Sequence, residues 1–160
     1  MTHNTKSFSL IELIVVLAII AVVSAMGVTS FSNLTGNRLT TDARKIVNDL
    51  GWARQLSVAG HQNYVNTGRQ NYIVDFDTIN ETYSVYWASV AAANLVKTQT
   101  LNTGVDLVSV TDFLGIPLVP ARLTFSFPSG TTQNAYINLS SQGKTKTISV
   151  FGNTGYVKVQ

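Results

Sequence analysis

Glu12 is the only charged residue in an apolar run that extends from Phe8 to Val28. Of those 21 residues, only Ser9, Glu12, Ser24 and Gly27 are not strongly apolar. A charge at the centre of a membrane helix costs about 2.5–3.5 kcal/mol on insertion scales, and less near an end. A helix that begins at Phe8 places Glu12 about one turn in, facing the positive end of the helix dipole. The other groups able to do chemistry are sparse. His3 and His61 are the only histidines and stand far apart, so a histidine metal site or catalytic triad lacks parts. Asp75-x-Asp77 begins like a calcium loop, but Ile79 occupies the next ligand position and no Glu follows at the required distance. There is no phosphate-binding glycine loop and no cysteine, which removes thiol chemistry and disulfides. The sequence therefore implies no cofactor, no metal and no catalytic residue.

The elements that hold Glu12 follow from hydropathy and period. Residues 8–28 are long enough to cross a bilayer, whose hydrocarbon core takes about 20 helical residues. They are apolar all round, unlike a core helix, which carries one apolar stripe. Thr29–Asn37 is polar, forms helix poorly and marks a place to bend. From Arg38 to Ala59 the helical period returns. Leu39, Ala43, Ile46, Val47, Leu50 and Ala53 recur at steps of three and four, with Asp42, Arg44, Lys45, Asp49 and Gln55 placed mostly opposite. One long helix over residues 8–59 results, with a lipid-soluble first part and an amphipathic continuation over residues 29–59. A globular part made from residues 60–160 must cover the amphipathic stripe.

Lys6-Ser7-Phe8-Ser9-Leu10-Ile11-Glu12-Leu13 resembles the class III signal of type IV pilins and pseudopilins. The resemblance implies that residues 1–7 are a leader, that an inner-membrane prepilin peptidase cuts between Ser7 and Phe8, and that the new Phe8 amine is methylated. Ser7 stands where the family usually has Gly. Lys6 favours the cytoplasmic side. The family's Glu at the fifth mature position is Glu12, which implies an assembly role: the amine of one subunit pairs with the Glu12 of a neighbour. An ordinary secretory signal would instead be cut after Val23-Ser24-Ala25, but Glu12 interrupts the start of its apolar region.

After Gly60 the period switches to two. Asn71–Phe76 and Thr82–Trp87 read as a hairpin, and Lys97–Leu101 with Val105–Val110 as a second pair split by Asn102-Thr103-Gly104. Residues 111–122 hold two of the three prolines and read as a loop with an exposed apolar edge. Leu123–Phe127, Ala135–Leu139, Thr147–Phe151 and Tyr156–Val159 follow as an antiparallel meander with Gly-rich turns. Trp52, Tyr83, Tyr86 and Trp87 read as core aromatics, and Arg54 as a surface or interface ion-pair donor. The fold class is α+β, a long N-terminal helix packed on small antiparallel sheets.

The order of these segments, with Trp52-Ala53-Arg54 on the helix, Phe127-Pro128-Ser129-Gly130 and the closing Thr154-Gly155-Tyr156-Val157-Lys158-Val159, is similar to the GspH/FimT group of minor pseudopilins. That similarity implies a structural subunit of a type II secretion pseudopilus or type IV pilus, anchored in the inner membrane with its C-terminal part periplasmic. Its implied partners are other pilins, the prepilin peptidase and membrane lipid. One branch of the group binds DNA through a basic Gly-Arg-x-Arg segment. Here that segment reads Gly155-Tyr156-Val157-Lys158. Lys144, Lys146 and Lys158, near Tyr136, Phe151 and Tyr156 in sequence, are the candidates for nucleic-acid contact. A net charge of +3, or +2 without Lys6, does not by itself imply such a partner.

Overall fold

The computed structural model describes residues 10–59 and 70–160, with residues 25–36 described by their backbone. Helix α1 runs Leu10–Ala59. It is followed by β1 (Tyr72–Asp77), β2 (Thr82–Trp87), a 3-10 turn at Ala92–Asn94, β3 (Leu95–Thr100), β4 (Asp106–Thr111), β5 (Arg122–Phe125), β6 (Ala135–Ser141), β7 (Lys144–Phe151) and β8 (Tyr156–Val159). The strands make two antiparallel sheets, β3-β2-β1-β5 and β4-β6-β7-β8. The chain divides into two compact units, one ending at Leu34 and the other running Thr35–Gln160. Polar Thr29–Asn37 keeps a helical backbone despite its weak propensity.

In Thr35–Gln160 the core forms along one stripe of α1. Leu39, Ala43, Ile46, Leu50, Ala53 and Ser57 are buried, at steps of four and three. Val74, Phe76, Tyr83, Val85, Leu123 and Phe125 meet that core from the first sheet, and Leu107, Val110, Ile137, Leu139, Ile148 and Val150 from the second. Trp52 departs from its expected place: it is 37% exposed on the side away from the stripe. Asp42 and Asp49 depart in the other direction and are buried. Each sits three residues after a stripe residue, at the edge of the packed face, and each has its hydrogen bonds made. Asp42 accepts from the backbone N–H and side-chain amide of Asn102, both at 2.8 Å. Asp49 accepts from Lys97 Nζ at 2.8 and 2.9 Å and from the Tyr83 hydroxyl at 2.7 Å.

Two expected pairings are corrected. β3 and β4 do not pair with each other: β3 adds to β2 and β4 to β6, in different sheets. The linking Asn102 is tied to Asp42 on the helix, and Leu101 and Val105 on either side of the link are buried. The chain therefore crosses between sheets instead of folding back. β5 likewise leaves the C-terminal meander and pairs with β1, Tyr72 opposite Phe125. β6, β7 and β8 form the meander, with a two-residue turn at Gln142-Gly143 whose φ values of 47° and 76° suit the tight hairpin. β7 starts at Lys144, so Lys144 and Lys146 are strand residues and not part of the turn.

Candidate functional site

Glu12 lies in the first turn of α1 as described from Leu10, the end where the helix dipole favours an anion. Around it every residue from 10 to 24 is exposed, and the large aliphatics run from Val16 at 44% to Leu10 at 75%. Apolar area on this scale favours burial against lipid or protein at roughly 25 cal/mol per Å². Among the described residues, no helix is long and apolar enough to cross a membrane; the Phe8–Val28 run of the sequence extends beyond both ends of residues 10–24. Lys6, Ser7 and Phe8, the expected cleavage and methylation residues, lie outside the described residues.

The three candidate lysines are not brought together. Residues opposite each other in a ladder share a face. Lys146 lies opposite Leu139, and Lys144 opposite Ser141, so both are on the core-facing side of the second sheet, at its uncovered end. Lys158 lies opposite Ser149, on the outer side. The expected aromatics are also on the outer side. Tyr136 and Ser149 are opposite each other, as are Phe151 and Tyr156. Phe113 lies over this group, stacked on Tyr136 at 4.6 Å and edge-on to Phe151 at 5.8 Å. Lys158 is thus the one candidate lysine on the aromatic face.

Loop 112–121 presents the expected apolar edge, with Leu114 84%, Ile116 58% and Val119 90% exposed. Asp112 fixes it by accepting from the N–H groups of Leu114 and Ile116, each at 2.8 Å. The calcium-like pair is spent on structure. Asp77 accepts from the Asn80 side-chain amide and from the N–H groups of Asn80 and Ile79, which hold its carboxyl below the usual range. Asp75 pairs with Arg122 at 2.9 Å. Among the described residues no cluster has the makings of a metal site.

A third feature is visible only in the fold. The stem of Arg54, from α1, lies between two turns, one at Gly130 and one at Gly155. A Cβ on Gly130 would fall 3.1 Å from Arg54 Cγ, and one on Gly155 would fall 2.8 Å from its Cδ. Both glycines have positive φ, 65° and 62°.

Comparison with known proteins bears on both units. Residues 2–28 match the prokaryotic N-terminal methylation motif, which contains Phe8 and Glu12. The minor pseudopilin EpsH from the type 2 secretion system of Vibrio cholerae has a similar fold, with a TM-score of 0.57 at 12% identity over 77% of this chain and 96% of that one. The fold is pilin-like. A second EpsH crystal structure gives a TM-score of 0.56 at 12% identity, over 77% and 93% of the two chains. The type IV minor pilin FimU of Pseudomonas aeruginosa gives 0.54 at 15% identity, over 78% and 89%. No curated protein matches by sequence. Residues 2–28 thus carry the methylation motif by sequence, and the α+β architecture is the one these structural neighbours share with this chain.

Of the expected site residues, Glu12 falls within the described helix and Phe8 falls inside the matched motif but outside the described residues. Asp49, Tyr83 and Lys97 were not joined by sequence reasoning. The available signal was the position of Asp42 and Asp49, seven apart and each three residues past a stripe residue.

Proposed function

We propose that this pilin-like chain is a structural subunit and not an enzyme: a minor pseudopilin or minor pilin of a type II secretion pseudopilus or a type IV pilus. The observation that carries the reading is the methylation motif over residues 2–28 joined to a pilin-like fold. Residues 1–7 are the leader, and prepilin peptidase cuts before Phe8 and methylates its amine. Residues 8–28 hold the subunit in the inner membrane and later pack against the same segments of other subunits. Glu12 pairs with the Phe8 amine of a neighbour. Both charges are desolvated there, so the pair chiefly sets register, and apolar packing supplies the cohesion.

The mass of the N-terminal peptide from membrane-extracted protein tests this. A methylated peptide beginning at Phe8 is expected. One beginning at Met26 would mean an ordinary secreted domain, and an intact Met1 a simple anchor. Nucleic-acid contact through Lys144, Lys146 and Lys158 is the weaker reading, because the first two share a face that Lys158 does not.

A further inference from the structure

Arg54 carries a charge that no described carboxylate of Thr35–Gln160 compensates. Its Nε is buried and has no hydrogen-bond partner among the described residues. The residue as a whole is half-buried, and its two terminal nitrogens, also without a partner there, are not among the buried ones. No carboxylate of Thr35–Gln160 reaches it. Asp42, Asp49, Asp75, Asp77 and Asp112 are bonded elsewhere, as above. Glu81 accepts from the Leu107 N–H, and Asp106 is exposed and apart. Residues 1–9 and 60–69 contain no Asp or Glu. A guanidinium whose Nε is removed from water without a counterion is costly, and such groups are ordinarily paired.

The slot also confines the stem of the side chain. Turn glycines with positive φ leave room for the stem, and Val58 closes the Gly130 side, its methyl 2.7 Å from where a Cβ on that glycine would lie. Immobilising the stem in advance lowers the entropy lost on binding. The two terminal nitrogens are not among the buried unpaired atoms, and an end-on pair of guanidinium nitrogens matches the two oxygens of one carboxylate.

We propose that the Arg54 guanidinium, held between Gly130 and Gly155, receives a carboxylate side chain from an adjacent subunit of the fibre. This rests on the reading of the chain as a fibre subunit. The slot itself favours a single carboxylate over a polyanion. Among the described residues, the groups nearest the two glycines are a Val58 methyl, the Gly130 carbonyl and Arg54 itself, none of them a second cation, whereas a phosphate chain is held by several cations acting together.

The test uses the full chain expressed in its host, with fibres sheared from cells or from spheroplasts. R54K keeps the charge and offers an amine that a zero-length carbodiimide couples to a carboxylate at ion-pair distance. The expected result is a cross-linked species of two subunits, in which mass spectrometry finds position 54 joined to an Asp or Glu of the neighbour. R54Q should lower incorporation several-fold while leaving the melting temperature of the extracted protein nearly unchanged. Chain present in the fibres with no carboxylate coupled at position 54, or R54Q incorporated at the wild-type level, would overturn the contact alone. Absence of the wild-type chain from the fibres would overturn the subunit reading, and the contact with it.

Discussion

The Tyr83 hydroxyl donates to Asp49 Oδ2 at 2.7 Å, joining α1 to the start of β2 inside the core. Lys97 on β3 closes the arrangement with its ammonium 2.8 Å from Oδ1 of the same carboxylate. One buried acid thus ties the helix to two strands. Asp49→Ala leaves the Tyr83 hydroxyl without its acceptor, and losses of that kind cost about 1–3 kcal/mol. Lys97→Ala should cost less, under about 1 kcal/mol, because the lysine side chain is 33% exposed and solvent screens the pair. Urea denaturation of both variants, compared with wild type, checks the order; equal losses would contradict it.

The same contact makes stability depend on pH at the alkaline end. Burial, and then the hydrogen bond to Asp49, push the Tyr83 hydroxyl well above the ordinary tyrosine value. An unfolded tyrosine ionises near pH 10. Above that pH the unfolded chain releases a proton that the folded chain retains, so unfolding gains. The contribution is complete below about pH 10 and is lost as pH rises beyond it. Tyr83→Phe should flatten the fall in melting temperature between about pH 10 and 11. A slope unchanged by the substitution would assign the effect to other groups.

Gly155 and Gly104 both have positive φ, 62° and 84°, but only Gly155 is crowded: its Cβ would lie 2.2 Å from the Gly130 carbonyl oxygen, while Gly104 has nothing within 4 Å. Gly104→Ala should therefore show only backbone strain, about 1 kcal/mol. Gly155→Ala adds a steric clash with backbone and with the Arg54 stem, and should exceed it by at least 1 kcal/mol. Thermal melts of the two variants make the comparison directly, and equal shifts would mean that the slot is looser than described.

How much of this could be read without coordinates depends on the range of each signal. The helix stripe from Leu39 to Ala53 and the β1–β2 hairpin are local patterns, and they form as their period dictates. The partners of β3 and β5 are not local. Lys97–Leu101 and Leu123–Phe127 look like members of hairpins with their sequence neighbours, yet each is captured by the first sheet because of the Asn102–Asp42 anchor and the Tyr72–Phe125 register. The Arg54 slot was even less accessible to sequence reasoning, since it needs turns at residues 130 and 155 to converge on one helix residue. The motif around Phe8 and Glu12 was legible for the opposite reason: it is linear, and residues 2–28 match the methylation motif by sequence alone.

The assembly role proposed for Glu12 predicts that its substitution separates insertion from assembly. At the first turn of α1 its charge costs the bilayer little, and removing it makes the helix more apolar, so Glu12→Ala and Glu12→Leu should insert in the membrane as wild type does. In a fibre the outcome differs. Leaving the Phe8 amine of a neighbour desolvated and unpaired costs about 3–5 kcal/mol, enough to reduce incorporation at least tenfold. Glu12→Gln, which keeps a hydrogen-bond acceptor but loses the charge, should fall between. Membrane fractionation and the amount of subunit in sheared fibres report the two steps separately. Normal membrane levels with depleted fibres would place Glu12 in assembly; depletion of both would place it in insertion or processing, and the pairing with Phe8 would have to be abandoned.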